Sequence, residues 1–273
     1  MVEQICPVCE QQRVAKVQFF EEYRVEFCAQ CGHGITLPVL TSTDLDRLYD
    51  ERYFSELYEP CFAEKRYLQR KIRQEDHRLR LLGKHCSQGK VLDVGCGRGF
   101  FLYACKERYR PYGFDVSSNN KEYIEQQLGV ELFTAEQELL KLSSAEGLFE
   151  AITFWHSLEH FTDPAATLGS FCSLLQDEGV LIIEVPIHDS IDAGMKGEAW
   201  EGWHIPYHRH HFSSRSLQQF LRDMGLDIVA AHSYHSGHVY ERLKTRWYLQ
   251  PFARSAAKLF GGGSMVVACR KAG

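Results

Sequence analysis

Val91-Leu92-Asp93-Val94-Gly95-Cys96-Gly97-Arg98-Gly99-Phe100-Phe101-Leu102 is the stretch that decides the fold. Val91, Leu92 and Val94 form a short apolar run, as a parallel strand covered on both faces requires. Gly95, Gly97 and Gly99 follow at two-residue spacing. They predict a turn where the backbone takes positive φ and a ligand can lie on the main chain. The apolar residues from Phe100 onward predict a helix whose free N–H groups face the same ligand. A second short apolar stretch, Tyr112-Gly113-Phe114-Asp115-Val116, ends in a carboxylate. An acid at the tip of a second strand accepts hydrogen bonds from ribose hydroxyls, the arrangement of dinucleotide-type folds.

Outward from this unit, strand and helix patterns alternate. Strands are expected at residues 90–94, 111–115, 130–133, 151–155, 180–185, 226–232 and 265–270, with helices at 121–128 and 165–175. Alternation of this kind predicts an α/β, Rossmann-like sheet with helices on both faces. Ligand-binding residues are then expected at the carboxyl ends of the strands.

Length and composition bound the function. The chain has 273 residues, which suits one large domain or one large and one small. It carries 36 acidic and 31 basic side chains for a net charge of −5. That balance argues against a nucleic-acid partner, which asks for a basic surface. No apolar run approaches the roughly 18 residues of a membrane span, and the N-terminus lacks a signal peptide's apolar core. A cytoplasmic protein without a membrane span is expected. Ten cysteines are many, but four fall in two pairs. The other six (Cys61, Cys86, Cys96, Cys105, Cys172 and Cys269) read as small apolar residues in a reducing compartment.

The two pairs are Cys6-Pro7-Val8-Cys9 and Cys28-Ala29-Gln30-Cys31, with 18 residues between them. Two knuckles of this spacing, brought together, make a closed tetrahedral site. Cys6, Cys9, Cys28 and Cys31 are therefore candidate ligands of a structural Zn2+, with an iron–sulfur cluster or a redox dithiol pair as alternatives. Residues 13–17 and 23–27 alternate polar and apolar side chains, as strands of a small ribbon would. His33 reads as a bystander, since four thiolates suffice. Residues 1–40 form this ribbon, and metal binding should drive its folding.

Residues 41–89 read as a helical connector. Thr41 to Asp44 signal a helix start. Tyr49, Tyr53, Phe54 and Tyr58 form an aromatic group suited to packing or to a pocket wall. Residues 63–82 predict one long amphipathic helix. Residues 90–273 make the main domain. Within it, residues 234–260 are an insertion that mixes basic and aromatic side chains, and Gly261 to Gly263 read as a flexible turn.

Asp93-x-Gly95-x-Gly97-x-Gly99, with an acid inside the first strand, resembles motif I of the class I S-adenosylmethionine (AdoMet) methyltransferases. The resemblance implies seven strands with the last antiparallel. It implies that Asp93, Gly95, Cys96, Gly97 and Gly99 bind the methionine and ribose parts of the cofactor. Asp115 and Val116 would lie at the ribose, and Glu136, after the third strand, at the adenine amino group. His156-Ser157-Leu158-Glu159-His160 resembles a segment common in small-molecule and sugar methyltransferases, which sets Trp155 and His156 against the cofactor near the methyl group. Quinone O-methyltransferases carry a related metal-binding run, but His156 replaces its first acid.

Four histidines (His204, His208, His210 and His211) fall within eight residues. Tyr207-His208-Arg209-His210-His211-Phe212-Ser213 resembles a substrate-side segment of zinc-ribbon-bearing sugar C-methyltransferases, with Arg209 where those enzymes carry a glutamate. A histidine can take a proton as methyl is transferred. His210, then His208, are the candidate general bases, with His156 beside the methyl group and Arg209 suited to an anionic acceptor. The expected activity is AdoMet-dependent methylation of a small molecule, such as a nucleotide-linked sugar or a natural-product hydroxyl. An RNA methyltransferase gripping through ribbon and insertion, or a non-catalytic AdoMet-binding protein, are the alternatives.

Overall fold

The computed structural model describes residues 5–11, 16–40, 44 and 65–273. The proposed helix start at Thr41 and the aromatic group of Tyr49, Tyr53, Phe54 and Tyr58 lie outside them, as do residues 13–15 of the first ribbon strand.

Eleven strands are described: β1 (Lys16–Phe20), β2 (Tyr23–Phe27), β3 (Gly34–Leu37), β4 (Lys90–Val94), β5 (Arg110–Phe114), β6 (Glu131–Phe133), β7 (Phe149–Trp155), β8 (Leu175–Pro186), β9 (His210–His211), β10 (Leu226–His235) and β11 (Gly261–Lys271). They make a four-stranded sheet of order β1-β2-β3-β9 and a seven-stranded sheet of order β10-β11-β8-β7-β4-β5-β6. β4 pairs in parallel with β5 and β7, and β5 with β6, whereas β10 and β11 are antiparallel. The seven-stranded mixed sheet matches the expected Rossmann-like architecture, including the antiparallel last strand.

Contacts divide the chain into two units that interleave along it. One holds residues 1–39, 158–166 and 184–272, and the other residues 40–157 and 167–183 with the last residue. In the second unit, Val91, Leu92 and Val94 are wholly buried, as the apolar run of β4 demands. Leu102, Ile124, Leu128, Val130 and Leu132 pack together into one apolar cluster. In the first unit, Val25 and Phe27 of β2 pack with Ala193, Trp200 and Trp203. At about 25 cal/mol per Å² of buried apolar surface, aromatic clusters of this size dominate the local stability.

Two expectations are corrected. The single helix over 63–82 is two, Lys65–Gln74 and Asp76–His85. Between them the Glu75 N–H bonds the Ile72 carbonyl at 2.9 Å, a tightened turn that breaks the helical register. Gly261, Gly262 and Gly263 are not a turn but the start of β11, with Gly261 opposite His235 of β10. The insertion contributes the end of β10 and helices at Gly237–Lys244 and Ala253–Ala257. Among the described residues, no helix is long and apolar enough to cross a membrane.

Candidate functional site

In the second unit, the carboxyl end of β4 opens into the glycine turn. Gly95, Gly97 and Gly99 have φ of 73°, 53° and 70°. At Gly95 a Cβ would also stand 2.4 Å from the Ser157 Cβ, so only glycine fits. The Ser157 hydroxyl, buried, donates to the Val94 carbonyl at 2.6 Å and closes the base of the turn.

Asp115, one residue past β5, faces this loop. Its Oδ2 accepts the Gly97 N–H at 3.0 Å and its Oδ1 accepts the Ser117 N–H at 2.9 Å. Each carboxylate oxygen keeps acceptor capacity for a ligand hydroxyl. Burial raises the Asp115 carboxyl above its usual range, and the two backbone donors oppose the rise. Val116 beside it is exposed. Asp93 is 3% exposed and its Oδ1 accepts the Thr153 hydroxyl at 2.8 Å. Burial pushes its carboxyl up to about 7, with the Thr153 bond acting against the shift. A cation brought beside Asp93 would reverse that shift.

β7 ends at Trp155, and His156 follows it. The Trp155 ring packs against Phe101 at 5.2 Å and lies under the Arg78 guanidinium at 5.0 Å. Its indole Nε1 is buried without a hydrogen-bond partner. His156 has φ of 54°, in the left-handed region that strand residues avoid. Glu136 opens the helix Glu136–Glu146 and is exposed.

The first unit holds the other candidates. Cys6 Sγ lies 3.6 Å from Cys31 Sγ and Cys9 Sγ 3.4 Å from Cys28 Sγ, and all four sulfurs lie within 4.8 Å of one another. Four thiolates about 2.3 Å from one zinc ion sit roughly 3.8 Å apart, so the group matches a tetrahedral site. Each knuckle ends on a left-handed residue, Glu10 at φ 55° and Gly32 at 76°. Cys6 and Cys31 perturb one another's thiols in opposite directions. Cys31 pulls the Cys6 thiol down to about 5 and is itself pushed up.

The histidine loop divides into two clusters. His210, on β9, pairs with Ile35 of β3. Its Nδ1 lies 3.0 Å from His33 Nε2, and its Nε2 3.4 Å from the Thr162 carbonyl. His211 Nε2 lies 2.8 Å from the Thr36 hydroxyl. His33, a bystander in the sequence reading, is wholly buried and orients His210. The second cluster joins His208 to His160, His204 and Glu159. His208 Nε2 is 3.8 Å from Glu159 Oε1. Burial pushes His208 down to about 3 and lowers His204 as well. Arg209 is buried, and its guanidinium donates to the Thr162 hydroxyl at 2.8 Å. Thr153, Arg78 and Thr36 escaped the sequence reading because their partners are distant in the chain.

The family described as a methyltransferase domain matches residues 62–231. No curated protein matches. Among solved structures, the chain is similar to a SAM-dependent methyltransferase from Archaeoglobus fulgidus, at 18% identity and TM-score 0.53, over 76% of this chain and 100% of that one. It is similar to the 1,6-didemethyltoxoflavin-N1-methyltransferase of Burkholderia thailandensis, at 15% identity and TM-score 0.52, over 95% and 100% of the two chains. That structure holds 1,6-didemethyltoxoflavin and S-adenosylhomocysteine. A Clostridium acetobutylicum S-adenosylmethionine-dependent methyltransferase gives 13% identity and TM-score 0.50, over 81% and 99%.

Proposed function

We propose that this chain, which belongs to the methyltransferase domain family and is an AdoMet-dependent methyltransferase, acts on a small-molecule acceptor and carries a structural zinc ion in its N-terminal ribbon. The observation that carries the cofactor assignment is the cradle at Gly95, Gly97 and Asp115. Gly95 takes φ 73° where a Cβ would meet Ser157, which holds the turn in its glycine conformation, and the Asp115 carboxylate is aimed by two backbone N–H groups. The buried, unpartnered Trp155 Nε1 is a further sign that the pocket expects a polar ligand.

Asp115 would take the ribose hydroxyls, Asp93 the ammonium end, Glu136 the adenine amino group and Trp155 and His156 the wall near the sulfonium. When bound, AdoMet supplies an electrophilic methyl group. The protein's own part is alignment of the acceptor and removal of its proton. His210 is the favoured base, because its bond to His33 gives it the orienting partner that a base needs. His208 and His156 stand next.

A small acceptor agrees with the net charge of −5. It agrees also with the Burkholderia protein, in which the same fold holds a small molecule. Calorimetric titration with AdoMet and S-adenosylhomocysteine, beside Asp115→Ala, tests the cofactor site. Binding by the wild type that the variant loses supports it, and no binding by folded wild type refutes it. Methyl transfer from labelled AdoMet to nucleotide sugars, phenolic natural products and RNA then tests the acceptor. Transfer to RNA alone would overturn the small-molecule reading, and cofactor binding without transfer to any of them would favour a non-catalytic binding protein.

A further inference from the structure

Three histidines outside the cysteine ribbon converge within the first unit. The ligand-capable atoms of His160, His204 and His208 all lie within 4.8 Å of one another. Their rings stand nearly perpendicular, at 86°, 89° and 87°, with centroids 4.6, 5.0 and 6.3 Å apart for His160–His208, His204–His208 and His160–His204. We propose that His160, His204 and His208, with Glu159 beside them, form a second metal site, separate from the four cysteines, that takes a divalent first-row transition ion.

Tautomers support this. His208 Nδ1 lies 2.9 Å from the Gly202 carbonyl and His160 Nδ1 3.1 Å from the Tyr207 carbonyl. A carbonyl only accepts, so both Nδ1 atoms carry the proton and both Nε2 atoms present a lone pair. Histidine ligands are held in this way by a backbone carbonyl on the far nitrogen. His204 and His208 are four residues apart, and the His208 N–H bonds the His204 carbonyl at 3.0 Å, closing one turn that stacks them on one side. Two histidines at this spacing are a known chelating pair.

Glu159 adds charge. Its Oε1 sits 3.8 Å from His208 Nε2, beyond hydrogen-bonding range. That places a carboxylate beside the three imidazoles. His204 itself is held at φ 37°, a backbone cost that persists where the surroundings enforce it. Three imidazoles and one carboxylate favour zinc, nickel, cobalt or iron over magnesium and calcium, which prefer all-oxygen shells.

The test uses the full chain, loaded with zinc, desalted and assayed for metal per chain by mass spectrometry. His160→Ala, His204→Asn and His208→Gln are prepared alongside. Asparagine tolerates the left-handed backbone at position 204. Cobalt substitution reports the cysteine site separately through its thiolate charge-transfer band. The proposal expects two zinc ions per chain in the wild type and one in each variant, with the thiolate band unchanged. One zinc per wild-type chain with a full thiolate band overturns it, as do two zinc ions in every variant. Should a variant fail to fold, the wild-type count decides alone.

Discussion

His33 Nε2 lies 3.0 Å from His210 Nδ1, a buried hydrogen bond between residues 177 apart in the chain. It fixes the loop histidine against the ribbon, with the other ring nitrogen of His210 facing the Thr162 carbonyl at 3.4 Å. Breaking one side leaves the other buried ring nitrogen without that partner, which costs about 1–3 kcal/mol. His33→Ala should therefore lower stability by that order and slow methyl transfer. His33→Ala and His210→Ala together should be less harmful than the sum of the two. Chemical denaturation of the four species in a double-mutant cycle checks this, and strict additivity would show that the bond contributes nothing.

Gly95→Ala should abolish AdoMet binding, because the new Cβ meets Ser157 at 2.4 Å and φ is 73°. Asp115→Asn should weaken binding while leaving the fold intact, since an amide oxygen can still accept from one backbone N–H. Calorimetry and a thermal melt of both variants separate the two effects.

Asp93 gives a pH dependence. Its carboxyl is raised from 3.8 to about 7 by burial. Between these values the folded protein holds a proton that the unfolded chain has released. This contribution is present in full below about 4 and is lost as pH rises to about 7. The ammonium group of AdoMet favours the ionised form, so binding near pH 6 should expel a proton. Calorimetry at pH 6 in two buffers of different ionisation enthalpy should give different heats, and Asp93→Asn should abolish the difference. Equal heats for the wild type would remove Asp93 from the ammonium site.

Chelation of the ribbon metal should unfold more than the ribbon strands. β9, which carries His210, pairs with β3 at Gly34–His211 and Ile35–His210. Losing the ion that folds the ribbon therefore loosens the histidine loop. Methyl transfer should fail while AdoMet binding persists, and zinc should restore transfer. Hydrogen exchange at residues 34–37 and 210–211 reads the structural half of this prediction.

Glu10 ends the first knuckle at φ 55°, where the second knuckle uses Gly32. A non-glycine residue in the left-handed region costs about 1–2 kcal/mol, part of which glycine recovers. Glu10→Gly should raise the melting temperature by a few degrees and tighten metal binding, whereas Glu10→Val should do the reverse.

The sequence by itself determined what is local. The apolar run Val91–Val94 forms a strand because both faces are buried, and the spacing of Gly95, Gly97 and Gly99 forms the turn because each takes positive φ. The four cysteines were legible as one cluster because two knuckles at this spacing suit a single tetrahedral ion. Asp115 was legible because it follows directly on β5. Tertiary structure alone decided the strand order of the large sheet and the pairing of β9 with β3. It alone separated His210, bonded to His33, from His208, gathered with His160 and His204. A histidine's sequence neighbours carry no record of the ring it will meet more than a hundred residues away. That is set when packing buries the loop and each polar atom must find a partner or a charge. The same burial fixes the Asp93 carboxyl near 7, a property of the folded core and not of the residue.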